Sequence, residues 1–294
     1  MILRYQSFAG RATLSVALIA ATVAPARSTL GVVQHTHTIH GVTARVVTVN
    51  LNDARLAVTV GLARGGIGHS ETMSSMMRRM QPAAAITGTF FCMRSLLPVG
   101  DIVTKGHTVY RGPAGTGFCV AADNTLDFHP RRYGRTTHWR HRDTVLCTGP
   151  TLLRKGRKVL SPRDEGYRDG SLWALRPRTA VGWTRANKML FVCVLKPIHL
   201  STMAGIMKAL GCAEALGLDG GSSCALYANG QMCVRPGRRL TNVLMVMRTR
   251  TPRPTVIARL KQEEFTRLAR TTTHSHGYTP LAALAANIAL AVGP

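Results

Sequence analysis

The sequence of 294 residues predicts an α+β fold, in which a mixed, strand-rich central sheet carries flanking helices within a single domain. Three observations support this prediction. Apolar and β-branched runs recur along the chain and are separated by short turn signals rich in Gly, Asn and Asp. Few segments show helical periodicity, and one of them runs directly into a short buried strand that ends at Asp219. The composition, 45% hydrophobic, is sufficient for one good-sized core.

The first half of the chain alternates strands with a single helix. TARVVTVNL and ARLAVTVGLA predict two strands that turn at Asn52–Asp53. SETMSSMMRRM predicts a helix capped by Ser70, with its methionines on the face that packs into the core. AAAITGTFF predicts a buried strand, and GDIVTKGHTVY predicts a hairpin that turns at Lys105–Gly106.

The second half contains further hairpins and one more helix. Turns are predicted near Lys155–Gly156, at residues 185–187 and at Asn229–Gly230, the last being a strong hairpin signal. Ser201 is expected to cap the helix TMAGIMKAL, which stops at Gly211. AEALGL then forms the strand before Asp219, and LTNVLMVM closes the sheet.

The two ends of the chain differ from its centre. Residues 1–26 combine two arginines, a short apolar stretch and the pattern APA, and are expected to be a signal peptide, the alternative being a core helix. Residues 27–250 form the predicted domain. The stretch TPRPT marks a boundary, after which residues 251–294 form a helical or partly disordered tail. We therefore expect a secreted or periplasmic protein of the cell envelope.

The charge of the chain restricts its partners. Lys and Arg number 38 against 13 Asp and Glu, giving a formal net charge of +25 that attracts polyanions. Aromatic residues are only 5% of the chain, so platforms for stacking nucleic acid bases are not expected. If the protein is exported, a phosphate-bearing glycan or sugar phosphodiester is the favoured partner and nucleic acid is disfavoured. Peripheral contact with an anionic envelope surface is a further possible interaction.

Neither cysteines nor histidines form a recognisable metal motif. The seven cysteines lack a C-x-x-C spacing, and they mostly lie in apolar runs, which indicates that most of them are small buried hydrophobic residues; their pairing cannot be deduced. The histidines of HTHTIH alternate, which favours a polar strand face over a metal site. No cofactor is expected, and assistance by a divalent metal is left open.

The stretch LDGGSS combines features of a turn with features of a binding site. Asp219 ends an apolar strand, and Gly220 and Gly221 allow close approach of the backbone to a ligand. The amides of Gly221, Ser222 and Ser223 are positioned to form an anion-binding nest. A tight turn between strands is the alternative interpretation.

Six motifs in order resemble the phosphodiester glycosidase family over roughly residues 40–250. They are ITGTFF, PVGDIVTKG, GPTLLRKGR, RTAVGW, ALGLDGGSS and RPGRRLTNVLMV. The resemblance implies a secreted hydrolase with a mixed sheet that cleaves a glycosyl phosphodiester. This sequence has Thr87, Cys92 and Gly217 where the family usually has polar residues or Asn. A degenerate member that binds a polyanion or glycan without cleaving it is the alternative.

The acidic residues and arginines in these motifs supply candidate roles. Asp219 is the first candidate for a carboxylate that activates water, and Asp101 and Glu165 are the next candidates. The alternative interpretation of Asp101 is a turn residue before a hairpin, and that of Glu165 is a residue of a solvated loop. Arg178 is the expected phosphate ligand, with Arg235 second, because a guanidinium matches two phosphate oxygens. The positions expected to bind substrate are Thr87, Gly88, Phe91, Arg178, Thr179, Gly220, Gly221, Ser222, Ser223 and Arg235.

Overall fold

The computed structural model describes residues 31–131 and 136–253. The predicted signal peptide, residues 1–26, and the tail beyond residue 253 lie outside the described residues, so both stay predictions. Within the described ranges no helix is long and apolar enough to cross a membrane.

Seventeen strands and two α-helices make up the described part of the chain. In chain order they are β1 (Val32–Ile39), β2 (Val42–Asn50), β3 (Leu56–Leu62), α1 (Met73–Met80), β4 (Ala84–Thr87), β5 (Ile102–Thr104), β6 (His107–Tyr110), β7 (Thr116–Val120), β8 (Leu126–His129), β9 (Thr144–Thr148), β10 (Thr151–Arg154), β11 (Arg157–Lys158), β12 (Arg176–Thr184), β13 (Lys188–Ile198), α2 (Leu200–Ala209), β14 (Cys212–Leu218), β15 (Leu226–Ala228), β16 (Gln231–Val234) and β17 (Asn242–Arg248). Two single-turn 3-10 helices, Gly170–Leu172 and Gly221–Ser223, complete the set.

The strands form three sheets, which corrects the predicted single central sheet. Sheet I has the order β1-β2-β13-β12-β14-β10-β11, sheet II has β16-β15-β4-β17-β3, and sheet III has β6-β5-β9-β7-β8. Every strand pair in these sheets is antiparallel. The prediction of a mixed sheet was therefore wrong. Short hairpins join many of the strands, and a parallel pair would need a long crossover connection instead.

The main core lies between sheet I and the other two sheets. Val181 and Phe191 of sheet I belong to one buried cluster with Ile86 and Leu244 of sheet II and Phe118 of sheet III. The outer face of sheet I packs against Met203, Ile206 and Met207 of α2. The methionines of α1 pack against the outer face of sheet II, as their spacing predicted. The fold is thus mostly β, with one helix covering each of two outer faces.

The predicted hairpin turns are confirmed, and both helix caps are corrected. Lys105, Lys155, Asn187 and Asn229 all have positive φ values between 48° and 56° at the expected turns. Thr72, not Ser70, caps α1, because its hydroxyl accepts a hydrogen bond from the Ser75 amide at 3.3 Å. Helix α2 starts at Leu200 after His199, which places Ser201 inside the helix.

Two strands of sheet III were missed, and most cysteine predictions are confirmed. Strands β7 and β8 are short, and the glycine at position 117 in β7 weakens the strand signal.

Five cysteines are buried and all seven are free thiols, whereas Cys92 is exposed. The histidine strand β1 forms an exposed edge of sheet I, which confirms the polar strand face.

Candidate active site

A cavity of about 380 Å³ lies where the end of β14 meets the end of β4 and the start of β12. Asp219 directly follows β14, and its backbone amide donates to the carbonyl of Gly88, just beyond β4, at 3.0 Å. The hydroxyl of Thr179 in β12 donates to the Asp219 carbonyl at 2.6 Å. Gly88 allows this junction because a Cβ there would lie 1.8 Å from Oδ1 of Asn242. The backbone of Asp219 is therefore fixed from sheets I and II together.

The Asp219 side chain forms part of the cavity wall, and its exposed fraction is 7%. Burial raises the pKa of its carboxyl above the ordinary value of 3.8. Three neighbours oppose that rise: Ser223 by a hydrogen bond, Arg238 by its charge and a hydrogen bond, and Gly220 by its backbone amide. A buried carboxylate with a raised pKa is a stronger base when ionised, which suits it to accept a proton from water.

Arg238 is the partner of Asp219, and the sequence analysis did not single it out. Its Nη2 donates to Asp219 Oδ2 at 2.9 Å, and its Nε donates to the Ser223 hydroxyl. Its guanidinium also lies 4.6 Å from the centre of the Phe91 ring. These contacts give Arg238 a fixed orientation in the cavity wall. The only sequence signal was its position after the Pro-Gly of RPGRRL, where Arg235 was chosen instead.

The LDGGSS stretch is both a tight turn and part of the cavity. A Cβ on Gly220 would lie 2.7 Å from the carbonyl oxygen of Pro177, and Gly221 has φ of +58°. The amide of Ser223 donates to the Gly220 carbonyl at 3.0 Å, so the predicted nest of three amides is reduced to Gly221 and Ser222. These two begin a 3-10 turn, where backbone amides have no partner within the turn.

Arg178 lines the cavity, but its hydrogen bonds hold the protein chain. Its Nη2 lies 2.6 Å from the Ala174 carbonyl, 2.9 Å from that of Leu172 and 3.3 Å from that of Ser171. Its Nε donates to the Ile198 carbonyl at 3.3 Å. Arg178 thus fixes the segment that forms one wall of the cavity.

Two exposed arginines and a second aspartate also line the cavity. Arg168 and Arg176 are exposed, in contrast to the buried Arg178. Asp169 caps the 3-10 turn Gly170–Leu172, and hydrogen bonds from Ser171 hold the pKa of its carboxyl below the ordinary value. The apolar part of the wall comes from Phe90, Phe91, Met93, Val99, Tyr167 and Leu172. The cavity therefore combines apolar walls with four arginines and two aspartates.

The other predicted carboxylates do not line this cavity. Asp101 is fully buried, accepts hydrogen bonds from the Gly112 amide and Trp139 Nε1, each at 2.8 Å, and pairs with Arg131 at 3.2 Å. Glu165 accepts hydrogen bonds from the Thr116 hydroxyl and from both the amide and hydroxyl of Thr151. Burial raises the pKa of the Glu165 carboxyl. Both carboxylates are bonded to protein groups and tie loops to sheets.

The remaining predicted binding residues divide into two groups. Phe91, Arg178, Gly220, Gly221 and Ser222 line the cavity. The residues outside its lining are Thr87, Gly88, Thr179, Ser223 and Arg235. Of these, Ser223 contacts the cavity residue Arg238 by a hydrogen bond, and Arg235 is exposed. Gly217 faces Gly149, since a Cβ on it would lie 2.9 Å from the Gly149 carbonyl oxygen. In residues 31–131 and 136–253, no group of three or more His, Cys, Asp or Glu side chains is arranged to hold a metal ion.

An antiparallel β fold that presents a buried carboxylate and several arginines in one cavity defines a candidate site for an anionic substrate. The family model for phosphodiester glycosidase matches residues 80–247, and the chain belongs to this family. No curated protein matches the sequence.

Solved structures share the fold at low sequence identity. The catalytic domain of zebrafish N-acetylglucosamine-1-phosphodiester alpha-N-acetylglucosaminidase, auto-inhibited by its pro-peptide, matches with a TM-score of 0.60 and 20% identity, covering 74% of this chain and 82% of that one. A hypothetical protein from Synechocystis matches with a TM-score of 0.54 and 16% identity, covering 72% of this chain and 61% of that one. At these identities the likeness establishes the fold.

Proposed function

We propose that this protein is an exported hydrolase that cleaves a sugar-1-phosphodiester in envelope or extracellular polysaccharide metabolism. The observation that carries the proposal is the buried carboxylate of Asp219, held in the cavity wall by Arg238 and Ser223. Family membership supports the reaction class. The N-terminal sequence supports export, and the net charge of +25 supports a phosphate-bearing substrate.

The proposed reaction uses Asp219 as the base. Water attacks the anomeric carbon of the sugar, and the ionised Asp219 carboxylate accepts the proton that the water loses. The bond between the anomeric carbon and the bridging phosphate oxygen breaks, and its electron pair leaves with the phosphate. The products are a free sugar and a phosphomonoester. Because a phosphomonoester leaves as a stable anion, the leaving group needs little protonation.

The phosphate is assigned to the exposed arginines and not to Arg178. Arg168 and Arg176 lie at the cavity with exposed side chains, and the Arg238 side chain is 26% exposed. Guanidinium groups match phosphate oxygens in pairs, and a partly enclosed cavity strengthens such contacts. Gly221 and Ser222 line the same cavity at the start of a 3-10 turn, and their amides are further candidate hydrogen-bond donors to the phosphate.

Direct measurement of product formation tests the proposal. Wild-type protein and Asp219→Asn are incubated with a panel of sugar-1-phosphodiesters, and phosphomonoester release is followed by phosphorus NMR. Loss of a general base costs about 10²–10⁴-fold in rate, so Asp219→Asn should lose most turnover. The matched control is Asp127→Asn, which alters another aspartate paired with an arginine, at 2.9 Å, but outside the cavity. Equal turnover by wild type and Asp219→Asn would remove Asp219 from the mechanism.

The second candidate function is glycan or polyanion binding without cleavage. One observation favours it: four arginines line the cavity against two aspartates, and this excess of positive charge attracts an anionic ligand whether or not a bond is cleaved. A binder of this kind should gain affinity for phosphodiesters when Asp219 is neutralised, because one buried negative charge is removed. Binding by calorimetry together with absent product in the wild type would select this function.

A further inference from the structure

In the described part of the chain there are seven exposed large hydrophobic residues, and five of them lie in or beside segments that line the candidate active site. Met93 (62% exposed) lines the cavity, and Leu97 lies in the same loop. Trp173 and Leu175, 41% and 57% exposed, follow the 3-10 turn whose Ser171 and Leu172 line the cavity. We call Met93, Leu97, Trp173, Leu175 and Leu195 the rim patch.

Leu195 joins the rim patch through an irregularity in sheet I. Arg176 pairs with Ile198 and Arg178 pairs with Val194, so three residues of β13, starting with Leu195, lie opposite one residue of β12. This bulge carries Leu195 at 49% exposure beside the strand that supplies two cavity arginines. Bulges of this kind change the direction in which side chains point.

Cationic side chains alternate with the apolar members of the rim patch. Arg94, Arg176 and Lys196 are exposed and directly adjoin patch residues in sequence. The segment before Trp173 adds the exposed Arg163 and Arg168, and its exposed acids are Asp164 and Asp169. The guanidinium of Arg163 lies 5.6 Å from the centre of the Trp173 ring. Trp and Leu surrounded by Arg and Lys form the composition that enters the headgroup region of an anionic bilayer.

We propose that the rim patch is a docking surface for an anionic lipid bilayer, which places the opening of the cavity at the headgroup level. Charge complementarity selects this partner, since cations outnumber acids around the patch. A stable protein interface usually offers a continuous apolar core with few charges, whereas these apolar residues are separated by cations. The inference does not depend on turnover, because a protein that binds a glycan without cleaving it would dock in the same way.

Tryptophan fluorescence tests the docking surface directly in the full chain. The protein has three tryptophans, of which Trp139 is buried, Trp183 is half-buried and Trp173 is exposed. Vesicles of phosphatidylcholine and phosphatidylglycerol, with bromine on the acyl chains, quench a tryptophan that enters the bilayer. We expect quenching in wild type, loss of that quenching in Trp173→Phe, and no quenching with phosphatidylcholine alone. The segments outside the described ranges contain no tryptophan, so they contribute nothing to this signal.

Vesicle affinity provides the second measurement. The double variant Trp173→Ser/Leu175→Ser should bind the anionic vesicles about tenfold or more weakly, because two apolar side chains no longer enter the bilayer. Its matched control is Val109→Ser/Val159→Ser, which alters the two exposed hydrophobic residues outside the rim patch and should bind as wild type does.

Three results would overturn the proposal. Binding without quenching of Trp173 would mean that net charge alone attaches the protein. Equal affinity of the rim-patch and control variants would mean that another face docks. A dimer in solution that only the rim-patch variant dissociates would assign the patch to a second copy of the chain.

Discussion

Asp219 and Arg238 form an ion pair whose two ends differ in exposure. Their Oδ2 and Nη2 atoms are 2.9 Å apart, and the aspartate side chain is 7% exposed against 26% for the arginine. Both side chains line the cavity, and the guanidinium is the more accessible of the two. Because Ser223 bonds to both side chains, a substrate phosphate that moves Arg238 also changes the environment of Asp219.

Removing Arg238 should alter the pH dependence of turnover. Arg238 opposes the effect of burial on the Asp219 carboxyl, so Arg238→Met should raise the pKa of Asp219 further. A base that must be ionised then works only at higher pH, and the acidic limb of the kcat profile should move upward. Loss of a charge-assisted hydrogen bond should also lower kcat/KM about 10- to 100-fold.

Arg235→Met is the matched control for that experiment. Arg235 is exposed, lies outside the cavity lining, and is three positions from Arg238 in the chain. Its pH profile should coincide with that of the wild type, as measured by steady-state kinetics over a pH series. An unchanged profile in Arg238→Met would show that the ion pair does not control the ionisation that limits turnover.

Arg178 and Arg176 should respond differently to the same substitution. Arg178→Lys leaves several carbonyl groups without their guanidinium donor, so we expect a loss of about 1–3 kcal/mol in unfolding free energy. Arg176→Lys should preserve stability and raise the Kd for a sugar phosphodiester, because a lysine cannot bind two phosphate oxygens together. Urea unfolding and calorimetry separate the two effects. Normal stability in Arg178→Lys would contradict the structural role.

Sequence reasoning located the chain segment of the site and missed part of its chemistry. Hydrophobic pattern and turn signals identified β14 and the position of Asp219 at its end, because both are local properties. Asp101 and Asp219 look alike in sequence, since each lies beside glycine and an apolar run. Only the fold shows that Asp101 pairs with Arg131 in the interior and Asp219 with Arg238 at a cavity.

Local sequence patterns did not predict the arrangement of the strands into three sheets either. Strands β4 and β17 are neighbours in sheet II although more than a hundred residues separate them. Strands β9 and β10 are consecutive in the chain but belong to different sheets. Which face of a fully buried strand meets which partner depends on tertiary packing, and an apolar run carries no such information.

Glu71 should make stability depend on acid pH. Burial disfavours its ionised form, but hydrogen bonds from Arg79, Ser75 and the Arg64 amide outweigh that effect and lower the pKa of Glu71 from 4.5 to about 2. A carboxyl with a lowered folded-state pKa contributes stability above its unfolded pKa and loses it as pH falls through the folded value. We expect a loss of about 2 kcal/mol between about pH 4.5 and pH 2, since Arg79 is partly exposed.

The Glu71→Gln variant isolates that contribution. Chemical unfolding of both proteins at neutral and at acid pH gives the two free energies at each pH. The variant should be less stable than wild type at pH 7, and the difference should shrink toward pH 2. A difference that stays constant with pH would assign the loss to packing and not to the ionised carboxylate.

Asp219→Asn and Asp101→Asn should have opposite phenotypes. Burial raises the folded-state pKa of Asp219 above its unfolded value of about 3.8. The group therefore stabilises the folded state below about pH 3.8, and this stabilisation is lost as pH rises through the folded-state pKa. At neutral pH its ionised form therefore costs stability, and Asp219→Asn should melt at or above the wild-type temperature while losing turnover.

Asp101→Asn removes one partner of a fully buried ion pair and should cost about 3 kcal/mol of unfolding free energy. Asp101 lies outside the cavity lining, so kcat per folded molecule should be unchanged below the melting transition. Thermal melts and kcat on the same preparations decide this, and an inactive but stable Asp101→Asn would transfer the role of base from Asp219 to Asp101.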